Sequence, residues 1–345
     1  MKILPRLFAL LLLCAVAGGV WVRHEAVVFL RTAPEQAGRE VFFDVAPGAR
    51  FAAVCGQLRE KNLITDAWKF RLLARWKKLD GRLQAGRFAM NTGWLPERTL
   101  NELVNGRPLL FRITIPEGLT WRQTGQALEK AGFVVFEDFR NVIADPDFLR
   151  HYGIPFDTAE GFLMPDTYLL KKPDLPDTAR ARAVAGRMVD NFWRKAAEVW
   201  PDGAKPAVEF LKKCVILASV VEKETGRDEE RARVAGVFRN RLERGMPLQA
   251  DPTVIYGLGE KFDGNLRRIH LEDPANAYNT YQHPGLPPGP ICSFGMAALR
   301  AAVNPEAHDF LYFVAESDGG AHVFSANLSE HNKAVRRYLE RRRSK

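Results

Sequence analysis

Two glutamates end the most apolar helical segment of this 345-residue chain. Residues 215–221 contain no charged side chain, and Glu222 and Glu224 follow with one lysine between them. A helix this apolar is buried on most sides, so a carboxyl group at its end loses part of its hydration. Dehydration favours the protonated carboxyl, which is the form that a general acid needs near neutral pH. The segment therefore predicts an acid–base site.

Helical periodicity by itself does not choose between the two carboxylates. Glu222 lies four residues after Ala218, and Glu224 lies four residues after Val220, so each shares a helix face with an apolar side chain. A plain helix end with both glutamates in solvent is the alternative that this pattern leaves open.

Polar residues after the next helical segment indicate another side of the same site. Gln249, Asp251 and Thr253 alternate along the chain, and in an extended segment their side chains would point to one side. Such groups suit contacts with sugar hydroxyls. The alternative is a turn that begins at Asp251, because Asp-Pro is a common turn starter.

Aromatic and amide side chains then occur together at Tyr278, Asn279, Thr280 and Tyr281. Aromatic faces pack against the apolar faces of sugar rings, so this group resembles a sugar-stacking platform. The proline- and glycine-rich segment 285–291 would be a stiff loop that holds one wall of a cleft. Packing of the tyrosines within a loop is the alternative reading.

The charge balance is basic, with 50 Lys and Arg against 41 Asp and Glu and a formal net charge of +9. This favours anionic partners, but the chain contains no aromatic RNP pattern, Cys/His finger spacing or Gly-rich phosphate loop, so we expect no nucleic acid. Cys55, Cys214 and Cys292 are far apart, and we expect neither a metal nor a cofactor. One bridge, Cys55–Cys214 or Cys214–Cys292, is compatible with an oxidising compartment.

The first residues predict a membrane anchor. An apolar run from Leu7 to Val22 follows Lys2 and Arg6, and it is slightly shorter than the roughly 20 residues that span a bilayer. Trp21 suits a membrane interface, so we interpret residues 1–23 as an uncleaved anchor, with a signal peptide as the alternative. The basic residues before the run favour a cytoplasmic N-terminus and a chain body outside the membrane.

The remaining chain reads as an α+β fold with three parts: a polar linker at 24–40, a small α/β module at 41–108, and a larger, mainly helical domain at 109–345. The module is predicted to contain a strand at 41–45, helices at 49–61 and 66–78, an extended segment at 82–90 and a helix at 96–104. The domain is predicted to contain a strand at 109–115, helices at 120–131, 138–144 and 178–200, and a loop at 160–168.

A strand–turn–helix pattern occurs twice, at 45–64 and at 115–134. A duplicated carbohydrate-binding unit would produce it. So would coincidence, because strand–turn–helix segments are common.

Several motifs in a fixed order resemble the MltG (YceG-like) family of endolytic murein transglycosylases. They are residues 217–224, 246–257, 278–281, 285–291, 311–314 and 330–332. The resemblance covers about residue 109 to the end, and the upstream repeat resembles the LysM-like module of that family. One departure lies at 292–295, where the family usually has a proline before Gly295.

The resemblance implies that Glu222 is the catalytic glutamate and that Gln249 and Asp251 lie near it. The expected substrate-binding residues are Ser219, Gln249, Asp251, Tyr278, Asn279, Thr280 and Tyr281. It also implies a single-pass inner-membrane protein with its catalytic part in the periplasm. Its partners would be peptidoglycan glycan strands, together with peptidoglycan synthases and division proteins.

The reaction that the resemblance implies uses one carboxyl group. A protonated Glu222 would protonate the oxygen between N-acetylmuramic acid and N-acetylglucosamine, and the muramic acid C6 hydroxyl would attack C1 to give a 1,6-anhydro sugar. One alternative is a hydrolytic muramidase in which Asp251 supplies a second carboxylate. The other is a non-catalytic, wall-binding membrane tether.

Overall fold

The computed structural model describes residues 4–46, 48–171, 176–200, 205–317 and 321–343. The chain forms two compact units: Met1–Phe111 with Leu169–Leu175, and Arg112–Tyr168 with Pro176–Lys345, counting the described residues of each range. The division after Phe111 lies close to the boundary at 108 that the sequence suggests. Lys2, before the apolar run, and Pro47, in the first strand–turn–helix pattern, lie outside the described residues.

The first helix, α1 (Leu4–Arg31), is longer than the predicted anchor. Among the described residues it is the one helix long and apolar enough to cross a membrane. Its candidate span is Leu12–Arg31, with a mean hydropathy of 1.5, and a signal sequence near an N-terminus meets the same criterion. The prediction of a polar linker from residue 24 is wrong over its first part, because residues 26–30 are apolar and Phe29 is buried in the core of the first unit.

Five further elements complete the first unit. They are β1 (Glu40–Val45), α2 (Phe51–Glu60), α3 (Ala67–Trp76), β2 (Gly86–Asn91) and α4 (Pro96–Asn105). The two strands pair antiparallel with Phe43 opposite Phe88, and both rings are buried with Phe70 in the core. Asp66 caps the start of α3, because its carboxylate accepts hydrogen bonds from the first free backbone N–H groups of the helix. The predicted order of elements at 41–104 is confirmed, with ends shifted by a few residues.

The second unit begins with short helices and one strand pair. Its elements up to residue 196 are β3 (Phe111–Ile115), α5 (Trp121–Lys130), α6 (Phe136–Ile143), α7 (Pro146–Tyr152), β4 (Asp166–Leu170) and α8 (Thr178–Ala196), although Phe111 and the last two residues of β4 are counted with the first unit. A capping box of Thr120 and Gln123 begins α5, and Gly153, with φ of 67°, ends α7. Residues 160–168, predicted as a loop, include the start of β4, because this segment pairs with the distant strand β3.

One buried helix, α9 (Val208–Glu224), organises the rest of the second unit. The elements that follow it are α10 (Asp228–Glu243), α11 (Asp251–Leu258), α12 (Arg268–Leu271), α13 (Met296–Val303), β5 (Tyr312–Ala315), β6 (His322–Ser325) and α14 (Leu328–Arg343). Helices α10, α11 and α13 pack against α9. All residues from Cys214 to Val221 are buried, which confirms the burial expected from their apolar character.

The cysteines are unpaired in the part of the chain that the structure describes. Cys55 lies in the core of the first unit, whereas Cys214 and Cys292 are buried in the second. The Cys292 thiol donates a hydrogen bond to the backbone oxygen of Ser219 at 3.3 Å. Neither of the two disulfide bridges considered from the sequence is formed.

We expect the Phe162→Ala substitution to destabilise the second unit strongly. The Phe162 ring is fully buried and contacts the rings of Phe192 and Trp193, with centroid distances of 4.7 and 5.8 Å. Removing a buried ring leaves a cavity and lowers the free energy of unfolding by about 3–5 kcal/mol. Urea unfolding of the detergent-solubilised chain measures the change. Val208→Ala, at a position 54% exposed, is the control and should stay within about 0.5 kcal/mol of the parent; equal effects would contradict this account of the core.

Candidate functional site

A cavity of about 420 Å³ opens beside Glu224, the last residue of α9. The end of α10, the segment before α11, the start of α11, the Tyr278–Tyr281 loop, β5 and α14 all contribute side chains to its wall. Of the residues predicted from the sequence, Gln249, Asp251 and Tyr281 line this cavity together with Glu224. The structure therefore gathers polar groups from separate parts of the chain around one carboxyl group.

The Glu224 carboxyl titrates near neutral pH in this environment. Its pKa is raised to about 7, first by burial and then by the negative charge of Asp251, while the positive charge of Arg241 acts against both. Near neutral pH the protonated and ionised forms are therefore both well populated. A carboxyl with this balance can give a proton to a bound molecule and take one back.

Arg241 is buried, and its guanidinium holds the cavity wall together. It donates hydrogen bonds to the backbone oxygens of Leu311 at 2.7 Å and Leu248 at 2.8 Å, and it lies over the ring of Tyr312 at 5.2 Å. Burial lowers the pKa of this arginine. Its Nε and Nη1 groups bind backbone carbonyls, and Arg241 influences Glu224 through its charge.

Asp251 is the first residue of α11 and accepts a hydrogen bond from the Tyr281 hydroxyl at 2.7 Å. Burial and the adjacent Asp251 charge raise the pKa of Tyr281. Gln249 has a φ of 50°, and this left-handed residue turns the chain into the helix. The extended alternation considered for this segment is wrong: Pro252 follows at the start of a helix, and the buried Thr253 hydroxyl donates to the oxygen of Ala250.

Glu222 faces a different side of α9, and it does not line the cavity. Its side chain is 6% exposed, Arg231 Nη2 donates to it at 3.1 Å, and the backbone N–H of Gly295 donates to it at 3.0 Å. Arg231 Nη2 also lies 3.9 Å from Glu117, whose pKa is raised by burial and by Glu222. The geometry therefore gives Glu222 a buried ion pair and gives Glu224 the open cavity.

Two residues expected to bind substrate are instead buried within loop and helix contacts. The Ser219 hydroxyl donates to the backbone oxygen of Ile216 at 2.7 Å and accepts from the N–H of Ile291 at 3.0 Å. The Asn279 carboxamide is fully buried and donates to three backbone oxygens within residues 270–273. Both side chains satisfy buried backbone groups, so they hold the surrounding loops in place.

Thr280 and Tyr278 likewise lie outside the cavity wall. The Thr280 hydroxyl is buried and accepts from the backbone N–H of Ala250 at 3.0 Å. The ring of Tyr278 packs against Tyr256 with a centroid distance of 4.9 Å, and burial raises its pKa. The structure therefore favours the loop-packing alternative for three of the four residues 278–281 and leaves Tyr281 at the cavity.

Other cavity residues were not among those predicted. Besides Arg241 and Tyr312, they include His331 and Asn332 on α14. The His331 ring stacks on Tyr312 with a centroid distance of 5.1 Å, and burial lowers its pKa. The available signals were an arginine within an amphipathic helix and the His-Asn pair in the last family motif. Within the described residues, no group of three or more His, Cys, Asp and Glu side chains could hold a metal ion.

Comparisons with known proteins all indicate the same family. Residues 43–337 match the model of the YceG-like family. A Bacillus subtilis (strain 168) protein named endolytic murein transglycosylase is 30% identical over 326 residues, covering 88% of this chain and 86% of the relative. A protein of that name from Streptococcus pneumoniae (strain R6) is 26% identical over 355 residues, covering 94% of this chain and 63% of the relative.

A solved structure agrees with these relatives. The crystal structure of a yceG-like protein from Listeria monocytogenes superposes with a TM-score of 0.55 and 28% sequence identity. The superposition covers 86% of this chain and 99% of the Listeria chain. The shared fold thus extends over both units rather than over the cavity region alone.

We expect Asp251→Asn to lower the pKa of Glu224 from its value of about 7, because the substitution removes a negative charge that favours the protonated form. A ¹³C NMR titration of the glutamate side-chain carboxyls measures the shift. Asp228→Asn, which removes an exposed carboxylate beside Arg231, is the control and should leave the Glu224 titration in place. An unchanged Glu224 titration in Asp251→Asn would contradict the coupling.

We also expect Glu224→Gln to stabilise the protein, and more at pH 8 than at pH 5. The folded pKa of about 7 exceeds the ordinary value of 4.5. The stability contributed by this group is therefore fully present below pH 4.5 and is lost as the pH rises through about 7. Glutamine does not titrate, so the difference in melting temperature between variant and parent should grow with pH.

The matched control for this measurement is Glu222→Gln, which breaks the buried ion pair with Arg231. That variant should lower the melting temperature, since Arg231 would lose its buried partner. A Glu224→Gln variant that is equally destabilised at both pH values would show that Glu224 is held by a structural contact instead.

Proposed function

Because the chain belongs to the YceG-like family, we propose that it is an endolytic murein transglycosylase, the name carried by its relatives from Bacillus subtilis and Streptococcus pneumoniae. The substrate is the glycan strand of peptidoglycan, and the reaction leaves 1,6-anhydro-N-acetylmuramic acid ends during cell wall assembly. The observation that carries the proposal is Glu224, a carboxyl with a pKa of about 7 at the wall of a 420 Å³ cavity.

One carboxyl group is sufficient for this reaction. Protonated Glu224 gives its proton to the oxygen that joins N-acetylmuramic acid to N-acetylglucosamine, and the C1–O bond breaks. The muramic acid C6 hydroxyl forms the new bond to C1 and passes its proton to the same carboxylate, so the acid is regenerated and no water is consumed. The cavity holds the C6 hydroxyl close to C1, which replaces an encounter with solvent by an intramolecular attack.

The surrounding charges set the two states of Glu224. Asp251 and burial keep the carboxyl protonated before the proton transfer, and the nearby positive charge of Arg241 stabilises the carboxylate afterwards. Gln249, Tyr281 and Asn332 present polar groups to the sugar from the cavity wall. In this arrangement Asp251 tunes the acid without reacting itself.

We assign the catalytic role to Glu224 in place of Glu222, which the family resemblance suggested. The Glu222 carboxylate is 6% exposed and accepts hydrogen bonds from Arg231 and from the backbone of Gly295. Glu224 lines the cavity, whereas these contacts hold Glu222 in an ion pair. Its proposed role is to fix the end of α9 to α10 and to the start of α13, which holds Glu224 at the cavity.

A hydrolytic muramidase remains the second candidate because Asp251 lies near enough to Glu224 to raise its pKa. Two carboxyl groups that flank a glycosidic bond are the usual requirement for hydrolysis. In that mechanism Asp251 would activate water or attack C1, and the product would carry one additional water.

The remaining parts of the chain suit a membrane-bound wall enzyme. The order β1–α2–α3–β2 with antiparallel strands supports a LysM-like module at 41–108. The apolar character of α1 supports a single-pass inner-membrane anchor with the catalytic part in the periplasm. Peptidoglycan synthases and division proteins are the protein partners that the family resemblance suggests.

The test compares the parent chain with Glu224→Gln and Glu222→Gln on purified peptidoglycan, with soluble products read by mass spectrometry. We expect anhydro-muramic ends from the parent and a loss of about 10²-fold or more in Glu224→Gln, the usual cost of removing a general acid. Glu222→Gln should retain activity in proportion to its folded fraction. Glu229→Gln, at an exposed glutamate on α10, is the matched control and should act like the parent.

Each contrary outcome has a distinct meaning. Full activity in Glu224→Gln with a folded but inactive Glu222→Gln would return the catalytic role to Glu222. Products one water heavier would indicate the muramidase. If the parent chain binds peptidoglycan and releases no soluble fragments, the protein is a membrane tether.

A further inference from the structure

The helix α3 carries an exposed apolar stripe that the cavity chemistry does not use. Trp68, Leu72 and Trp76 follow one another at intervals of four residues and are exposed by 65%, 44% and 77%. Side chains with this spacing lie along one side of a helix. Tryptophan is a large apolar side chain, so a stripe with two such residues in contact with water indicates a surface that another phase or molecule covers.

The stripe forms one wall of a groove within the first unit, and α1 forms the other wall. The groove has a volume of about 420 Å³, and Trp21, Val22 and Phe29 of α1 line it. Its charged lining residues, Lys69 and Glu25, bind each other at 2.6 Å. Its other lining residues are apolar, so this groove suits an apolar occupant.

Basic side chains accompany the stripe on the same helix and just after it. Arg71 and Arg75 are exposed on α3, and Lys78 is exposed just beyond its end, next to Lys77, which pairs with Glu97 at 2.8 Å. Clusters of lysine and arginine next to a membrane-spanning helix attract anionic lipid headgroups. Apolar tryptophans and basic residues on one short helix match the requirements of the bilayer interface.

We propose that α3 seats the first unit in the interfacial layer of an anionic bilayer, directly beside the point where α1 leaves the membrane. This inference rests on the proposal that α1 is the membrane anchor. Trp21 lies near the end of the apolar run and lines the same groove as Trp68 and Trp76, so the stripe of α3 lies beside the end of that run. Tryptophan concentrates at this level of a membrane because its ring is apolar and its N–H is polar.

The consequence is a second attachment point for the first unit. A single spanning helix can rotate and tilt within the bilayer, and the unit that packs against its end would move with it. Contact through α3 restrains both motions and fixes which side of the module faces the bilayer. A second copy of the chain, or an apolar helix of another protein, is the competing occupant of the groove.

The test uses the full chain, carrying Trp21→Phe, reconstituted into phosphatidylglycerol–phosphatidylethanolamine vesicles. A fraction of the lipid is brominated near the glycerol end of its acyl chains and quenches tryptophan on contact. We expect clear quenching, and loss of most of it when Trp68→Phe and Trp76→Phe are added. Trp94→Phe is the matched control, because this partly buried ring of the same unit is covered by Arg98 at 4.3 Å.

Charge provides a second readout from the same samples. Quenching should fall when phosphatidylcholine replaces the anionic lipid and when Arg71→Gln and Arg75→Gln are introduced. Quenching that is unchanged by removal of Trp68 and Trp76 would overturn the inference. Cross-linking between copies through α3, with both tryptophans unquenched, would also overturn it and identify a second copy as the occupant.

Resistance to alkaline carbonate extraction tests separately whether α1 anchors the chain in the membrane. A chain that stays in the membrane but shows no quenching through α3 is anchored by α1, and its α3 does not contact the bilayer. A chain that washes out has lost the anchor itself. Neither result depends on peptidoglycan cleavage, so both are read independently of the proposed activity.

Discussion

The buried helix α9 imposes the constraint on which the second unit depends. It ends in two glutamates that are two residues apart, and on an α-helix such residues point to nearly opposite sides. Each carboxyl group therefore needs its own environment. Helix α10 provides both, because Arg231 near its start meets Glu222 and Arg241 near its end lies close enough to Glu224 to influence its pKa.

The two carboxyls differ in how their charge is compensated. Glu222 receives direct hydrogen bonds from a guanidinium and a backbone N–H. The positive charge of Arg241 lowers the pKa of Glu224, while its guanidinium donates hydrogen bonds to the carbonyls of Leu311 and Leu248. Both hydrogen bonds and a nearby positive charge favour the ionised form of a carboxyl group. Glu222 is therefore held in an ion pair, whereas Glu224 lines the cavity.

The walls of the cavity depend on buried polar residues that do not reach it. Asn279 binds three backbone carbonyls, and Thr280 binds the N–H of Ala250 just before the turn into α11. These bonds satisfy backbone groups in segments without regular structure, where an unpaired group would be costly. They also position Tyr281 against Asp251, so these cavity residues depend on a set of loop hydrogen bonds.

The sequence by itself determined the apolar helix that ends in two glutamates, the order of most elements and the family resemblance, because periodicity, capping residues and motif order are local properties. Only the tertiary structure decided that Arg231 meets Glu222 and that Glu224 lines the cavity, since a helical repeat assigns a face but not what packs opposite it. The same reason applies to Ser219, which resembled a ligand contact but is buried beneath Ile291. Non-local packing likewise decided the strand β4, the extension of α1 to Arg31 and the presence of Arg241 and His331 at the cavity.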